Sequence, residues 1–252
     1  MIFLMYHELE TTGRTLCQDA PGYVRYVVRA ADFCAQMQLL KDLGWRGLSV
    51  SEALAFPANS VAITFDDGCE TDLLTAAPLL RELGFGATFY ITAGFLGKSG
   101  YLSKQHLREL SSLGFEIGCH SMTHAYLSDL DEKGMHREII ESKQQLEQMI
   151  GKQIDHFSCP GGRYNDRSIQ MARKGNYRTL ATSRARANFK DTDLFALGRI
   201  AVMRGTTLTN FEAHCRGIGL WRLSLKESLR RNAKQAIGNS LYDRLRGAWL
   251  HR

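Results

Sequence analysis

The chain has 252 residues, 44% of them hydrophobic and 23% charged, enough for one large core without division into several domains. Its net charge of +6 is concentrated: residues 221–252 carry eight basic side chains against two acids, so the rest of the chain is neutral and lacks the basic, aromatic-lined groove that nucleic-acid binding needs. No stretch approaches the ~18 uninterrupted apolar residues of a membrane span.

The apolar run Ile2–Tyr6 reads as a strand and ends on His7. It has no basic leader and is too short for the apolar core of a signal peptide, so a cytoplasmic location is expected. A helix over 33–43 follows, with Asp32 as its cap, Phe33, Met37, Leu40 and Leu43 on one face, and Gly44 as its stop. Further strands are predicted over 61–65, 86–92, 115–119, 155–159, 178–182 and 197–203. Helices are predicted between them over 70–83, over 104–113 behind a Ser103 cap, and over 132–150 with Ile139, Leu146 and Ile150 inward. Strands alternating with helices imply a mostly parallel sheet, closed or nearly closed, though periodicity alone does not separate a barrel from an open doubly wound sheet. No linker interrupts the chain before residue 218, which divides it into a catalytic domain over 1–218 and an extension over 219–252.

Two motifs carry chemistry. Ile63-Thr64-Phe65-Asp66-Asp67-Gly68 closes one predicted strand, and Cys119-His120-Ser121-Met122-Thr123-His124 closes another, beginning 52 residues after Asp67. Each alone is weak: Asp-Asp-Gly suits an ordinary tight turn, and His-x-x-x-His can be two surface residues one helical turn apart. Together they offer one carboxylate and two imidazoles, the donor set of a divalent metal site with open positions. A second carboxylate stands beside that site, available for proton transfer. Both motifs fall where strands end and loops begin, the place where barrel enzymes keep their chemistry.

Thr-Phe-Asp-Asp-Gly followed by His-Ser-x-x-His resembles the first two motifs of the polysaccharide deacetylases, the carbohydrate esterase family 4 or NodB-homology domain, over roughly residues 1–218. The resemblance implies an α/β fold, an irregular (β/α) barrel with fewer than eight regular strands. It also implies Asp66 as general base, with Asp67, His120 and His124 as ligands of one divalent ion. Two histidines and an aspartate favour Zn²⁺, while Co²⁺, Ni²⁺, Mn²⁺ and Fe²⁺ suit the same ligands. Such an ion polarises an amide carbonyl and acidifies a bound water that attacks it, Asp66 takes the proton, and an acid protonates the leaving amine.

In most of the family that acid is a histidine in a Leu-x-x-His motif near the C-terminus. His214 here lacks the leucine, and His251 stands at the chain end. A circularly permuted branch carries a Tyr-His motif on its first strand, which Tyr6-His7 resembles, so His7 is expected to be the acid. Phe157-Ser158-Cys159-Pro160-Gly161-Gly162-Arg163-Tyr164-Asn165 resembles the third motif. Gly161 and Gly162 could bring backbone N–H groups to a developing oxyanion, and Tyr164 or Arg163 is expected to meet substrate. The family often has an arginine two residues before the proline that orients the catalytic aspartate. Ser158 stands there, and Arg199 in Leu197-Gly198-Arg199-Ile200 is the expected substitute.

The resemblance points to hydrolysis of an N-acetyl group from an acetamido sugar. A cytoplasmic enzyme would meet that sugar on a nucleotide- or lipid-linked precursor. Hydrolysis of another amide, a formamide or cyclic ureide, and a degenerate glycan-binding module are the rival readings; retention of a base beside the metal ligands speaks against the module. The cysteines at 17, 34, 69, 119, 159 and 215 form no Cys-x-x-Cys and are expected as reduced thiols. Cys69, Cys119 and Cys159 neighbour the motifs, and are assigned to packing because the triad already accounts for a metal. In the extension, Trp221, Leu225, Leu229, Ala233, Ile237, Leu241, Leu245 and Trp249 recur at four-residue spacing among basic residues, as one or two amphipathic helices. These helices either pack on the barrel or make a peripheral contact with anionic membrane or a lipid-linked phosphate at the inner membrane surface.

Overall fold

A computed structural model describes residues 1–225. Ten strands are present among these residues: β1 (Ile2–Tyr6), β2 (Leu9–Glu10), β3 (Val28–Arg29), β4 (Arg46–Leu48), β5 (Ser60–Phe65), β6 (Thr88–Ile91), β7 (Glu116–Cys119), β8 (His156–Ser158), β9 (Thr179–Ala181) and β10 (Ile200–Ala201). The main sheet runs β10-β1-β5-β6-β7-β8-β9 with every neighbouring pair parallel, and β4 lies beside the first half of β5. The strands β2 and β3 form a separate two-stranded ladder. The ring is closed by the stretch 197–201. The Leu197 N–H donates to the Leu180 carbonyl at 3.0 Å, the Thr182 N–H donates to the Leu197 carbonyl at 2.8 Å, and three residues later β10 pairs with β1. The architecture is a curled, mostly parallel (β/α) barrel of the kind the motifs implied.

All seven predicted strands exist, most of them shorter than their apolar runs, and the 197–203 strand is reduced to β10 with a single bridge at Leu197. The strand β4 was not expected, because Arg-Gly-Leu is too short to show a period. Helices cover the outside: α1 (Pro21–Val24), α2 (Ala30–Asp42), α3 (Val50–Ala53), α4 (Ala77–Leu83), α5 (Lys104–Ser112), α6 (Glu132–His136), α7 (Ser142–Ile150), α8 (Asp166–Lys174) and α9 (Leu208–Cys215). Asp32 is not the cap of α2. The helix begins two residues earlier, and Asp32 sits in its first turn, where both carboxylate oxygens accept from Arg29 at 2.7 and 2.9 Å. Ser103 does cap α5, in a reciprocal box with His106. The helices expected over 70–83 and 132–150 each contain a π-turn, at Asp72–Ala76 and Arg137–Glu141, and each ends at a left-handed glycine, Gly84 and Gly151.

The strand parity sorts the chain into two cores. Ile2, Leu4 and Tyr6 of β1, Val61, Ile63 and Phe65 of β5, and Phe89 and Ile91 of β6 face outward into the layer of helices. The alternate residues Phe3, Ala62, Tyr90, Ala181 and Leu197 face inward and pack with Leu48, Val50 and Ala53 of β4 and α3. The ring is therefore filled by side chains, and α3 stoppers its amino-terminal end. The Tyr90 ring occupies the space beside Gly118, where a Cβ would lie 2.4 Å from Tyr90 Cδ1.

A polar layer ties α3 to the strand starts. The Glu116 carboxylate accepts from the Thr88 hydroxyl and from the N–H groups of Val50 and Ser51, and lies 3.3 Å from His156 Nε2. His156 Nδ1 meets Thr179 Oγ1 at 2.9 Å. Leu220 is buried and Leu223 packs against the core, whereas Trp221 and Leu225 are exposed. The extension expected over 219–252 lies outside the described residues from 226 onward.

Burial raises the Glu116 carboxyl, but its hydrogen bond and charge interaction with His156, aided by Ser51 and Thr88, bring it down to about 2. A carboxyl lower in the folded than in the unfolded state contributes stability that is complete above the ordinary glutamate value and disappears as pH falls toward 2. Glu116→Gln should therefore lower stability at pH 7 by about 3 kcal/mol at most. It should also flatten the loss between pH 5 and 3 relative to the unaltered protein, as read by urea unfolding at each pH.

Candidate active site

The inward parity continues past the carboxyl ends of the strands, and that continuation builds the site. Inward Phe3 and Met5 lead to His7; Ala62 and Thr64 lead to Asp66; Gly118 leads to His120; Leu197 leads to Arg199. His7, Asp66, Asp67, His120, His124 and Arg199 all line one cleft of about 580 Å³ over the carboxyl rim of the ring.

Asp66 and Arg199 are both buried, and their planes meet in a two-pronged pair: Nη1 donates to Oδ1 and Nη2 to Oδ2, each at 2.7 Å. The other Arg199 donors are also used, by the Thr182 carbonyl at 3.0 Å, Thr64 Oγ1 at 3.2 Å and Ser158 Oγ at 2.7 Å. All five guanidinium N–H groups thus have acceptors. The Ser158 hydroxyl also reaches Asp66 Oδ2 at 3.2 Å. Burial alone would raise the Asp66 carboxyl; the Arg199 charge and hydrogen bonds outweigh it and hold the group ionised, far below the usual carboxylate range. Arg199 therefore stands where the sequence placed the substitute for the missing arginine, and Ser158 belongs to the same network.

Asp67 turns away from this pair. Its backbone is left-handed, as are those of Ser121 and His124, so half of the six such non-glycine residues among those described lie in the two site loops. These loops are over-determined by their neighbours. Glu138, in the π-turn of Arg137–Glu141, accepts from the N–H groups of Met122 and Thr123 at 3.0 and 2.8 Å and from the Thr123 hydroxyl at 2.7 Å. The Gly94 N–H donates to the Met122 carbonyl at 2.7 Å, and the His124 N–H to Ser121 Oγ at 3.0 Å.

The result is a convergence of three donors. Asp67 Oδ1 is buried with no hydrogen-bond partner, 3.5 Å from His120 Nε2 and 3.3 Å from His124 Nε2. His120 Nδ1 lies 2.8 Å from the Ser158 carbonyl, which can only accept; Nδ1 carries the proton and Nε2 presents its lone pair to the cluster. Burial drives the His120 imidazole down to about 4, so it is neutral at pH 7. An orphaned carboxylate oxygen facing two imidazole nitrogens fits a divalent ion of the Zn²⁺ type, and Asp67, His120 and His124 are the residues that would hold it.

His7 lines the cleft just past the end of β1, next in register to Asp66 past the end of β5, with its ring 4.9 Å from that of Tyr26 and its Nδ1 buried without a hydrogen-bond partner. Gly161 and Gly162 are left-handed, and a side chain at either would strike Tyr126 or Ser183. The Gly162 N–H, however, is engaged by the Cys159 carbonyl at 2.9 Å. Tyr164 does not line the cleft: it is half-buried beneath Arg184, and Tyr126 takes its place, with the Arg163 guanidinium 3.6 Å above the ring centre. Pattern reasoning missed Tyr126, Glu138 and Ser183. Strand parity beyond Ala181 points to Ser183, but nothing in the sequence singles out the other two.

Fold and donor set together define a barrel enzyme with a candidate metal site at its carboxyl rim. Residues 54–180 match the family model described as polysaccharide deacetylase, and the chain belongs to that family, whose members hydrolyse N-acetyl amide bonds of carbohydrates. It is 29% identical over 218 residues to a Bacillus subtilis protein named as a polysaccharide deacetylase, YxkH, covering 84% of this chain and 74% of the relative. It is 27% identical over 203 residues to the poly-beta-1,6-N-acetyl-D-glucosamine N-deacetylase of Staphylococcus epidermidis, covering 70% and 68%. The crystal structure of a Bacillus anthracis polysaccharide deacetylase superposes with a TM-score of 0.74 at 26% identity, over 84% of this chain and 68% of the other. These relationships support N-deacetylase activity on glycans.

The donor geometry predicts about one divalent ion bound per chain. His120→Ala should weaken that binding a hundredfold or more, of the order seen when metal-site support is lost. Ion content after dialysis measures it, and an unchanged content would remove His120 from the site.

Proposed function

We propose that the protein is a metal-dependent N-deacetylase of acetamido sugars in a glycan, with Asp66 as the base and His7 as the acid. The observation that carries the reading is the orphaned Asp67 oxygen between two imidazole nitrogens, beside a carboxylate that a buried arginine keeps ionised. A divalent ion held by Asp67, His120 and His124 supplies Lewis acidity toward the amide carbonyl and a water acidic enough for a weakly basic carboxylate to deprotonate.

The chain's own residues do the rest. Arg199 fixes both Asp66 oxygens in one plane and holds the carboxylate beside the metal ligands, with Oδ2 3.9 Å from His120 Nε2, where it takes the proton. His7, which lines the same cleft, delivers a proton to the leaving amine nitrogen. Its Nδ1 has no hydrogen-bond partner and is uncommitted. The Tyr126 face, held by Arg163 and made room for by Gly161, gives the sugar ring an apolar wall.

Two variants separate the roles. Asp66→Asn should reduce kcat by about 10²–10⁴-fold while the ion stays bound, and His7→Ala should impair turnover more than ion binding. Acetate release from N-acetylglucosamine oligomers and from UDP-N-acetylglucosamine, with formate and ammonia measured in parallel, tests the reaction. Acetate from the oligomers supports the reading; formate or ammonia from other amides in its place would replace it.

A further inference from the structure

Outside the catalytic cluster, two thiols stand in contact. Cys17 Sγ and Cys69 Sγ are 3.6 Å apart although 52 residues separate them. Cys69 is buried and comes two residues after Asp67; Cys17 is partly exposed, in the loop that leads to the cleft wall at Pro21–Tyr26. The thiol of Cys17 is seated rather than loose. Glu8 accepts from its backbone N–H through both carboxylate oxygens, at 3.1 and 3.0 Å. The Tyr23 hydroxyl reaches Glu8 Oε2 at 2.9 Å and Cys69 Sγ at 3.5 Å, so it braces both halves of the pair. Gly100 leaves the slot open: its carbonyl lies 3.1 Å from Cys17 Sγ, and a Cβ there would come within 2.8 Å of that sulfur.

Glu8, Cys17 and Cys69 also converge closely enough to suggest a metal site. The Glu8 oxygens, however, are already engaged by the Cys17 N–H and Tyr23, which leaves two sulfurs, half of what a closed tetrahedral site uses. Paired thiols with one accessible member are instead the arrangement that suits thiol–disulfide exchange.

We propose that Cys17 and Cys69 are an oxidation site for low-molecular-weight disulfides, and that their bond clamps the cleft wall to the loop carrying Asp67. The Cys17 sulfur, giving its proton to solvent, attacks the small disulfide and displaces one small thiol, forming a mixed disulfide. The Cys69 sulfur, losing its proton in turn, attacks the Cys17 sulfur and releases the second small thiol. The two protein thiols give up two electrons to the sulfur–sulfur bond of the oxidant, which leaves as two thiols. This inference does not depend on the deacetylase reading.

The test uses the full chain, reduced and then treated with oxidised glutathione. In the Cys34→Ser background, which removes the one exposed thiol among the described residues, the expected result is a mass decrease of about two daltons with no glutathione retained. Peptide mapping should show a Cys17–Cys69 crosslink, and the unfolding midpoint should rise by about 5 °C or more, because the bond closes a long loop. Cys17→Ser and Cys69→Ser should both abolish the crosslink and the shift, with Cys69→Ser retaining one glutathione on Cys17. Stable glutathionylation of the unaltered protein at Cys17 without the crosslink, or a crosslink with no change in the midpoint, would overturn the proposal.

Discussion

A negative charge deep inside a protein survives only if something compensates it, and the Asp66 carboxylate has Arg199. The two-pronged pair is desolvated on both sides, so removing either partner would strand the other and cost about 3–5 kcal/mol. Much of the surrounding structure can be read as provision for this pair. The Thr64 and Ser158 hydroxyls and the Thr182 carbonyl take up the arginine donors that Asp66 does not use, and each comes from a different strand or strand end. The Tyr90 ring, 5.3 Å from the guanidinium carbon, lies next to the pair in the packed interior. A site that had to hold Asp66 ionised in solvent would need none of this.

The same pair separates the environments of two adjacent aspartates. Asp66 follows the strand parity inward and is neutralised by a cation belonging to the chain. Asp67, one residue on and forced into a left-handed conformation, presents an oxygen that no protein group satisfies. The left-handed turn at Asp67 aims its side chain away from the Asp66 environment, so the two neighbouring carboxylates need not compete for one set of partners. One carboxylate is held ionised by a cation of the chain and the other keeps an unsatisfied oxygen beside two imidazoles, with little further machinery required to keep the two environments apart.

The strands were legible because they are local, apolar runs with period two; Asp66, Asp67, His120 and His124 were legible because metal-ligand residue types stand at the ends of two such runs and resemble two family motifs. Arg199 was legible only by analogy, since 133 residues separate it from Asp66 and no spacing rule joins them. The parity of Leu197 and Arg199 agrees with the inward direction of Phe3 and His7, and would have supported the assignment independently. Glu138 was hidden because a glutamate in an amphipathic helix ordinarily faces water, and only the π-turn and the returning His loop bury it. The stopper helix α3 and its bonds to Glu116 were hidden for a related reason: four residues carry no periodicity, and their role depends on β6 beginning late beside β5. Tyr164 was misplaced because motif order says which residues follow the glycines, not which way the chain turns after them.

The segment that carries Arg199 is also the one that closes the ring, with Leu197 joined to β9 and Ile200 to β1. Arg199 reaches Asp66 only when both seams are made. Without that closure the Asp66 carboxyl would lack its cation, and any burial it kept would favour its protonated form. The charge state of Asp66 is thus coupled to the closure of the ring, through main-chain pairings made on either side of Arg199.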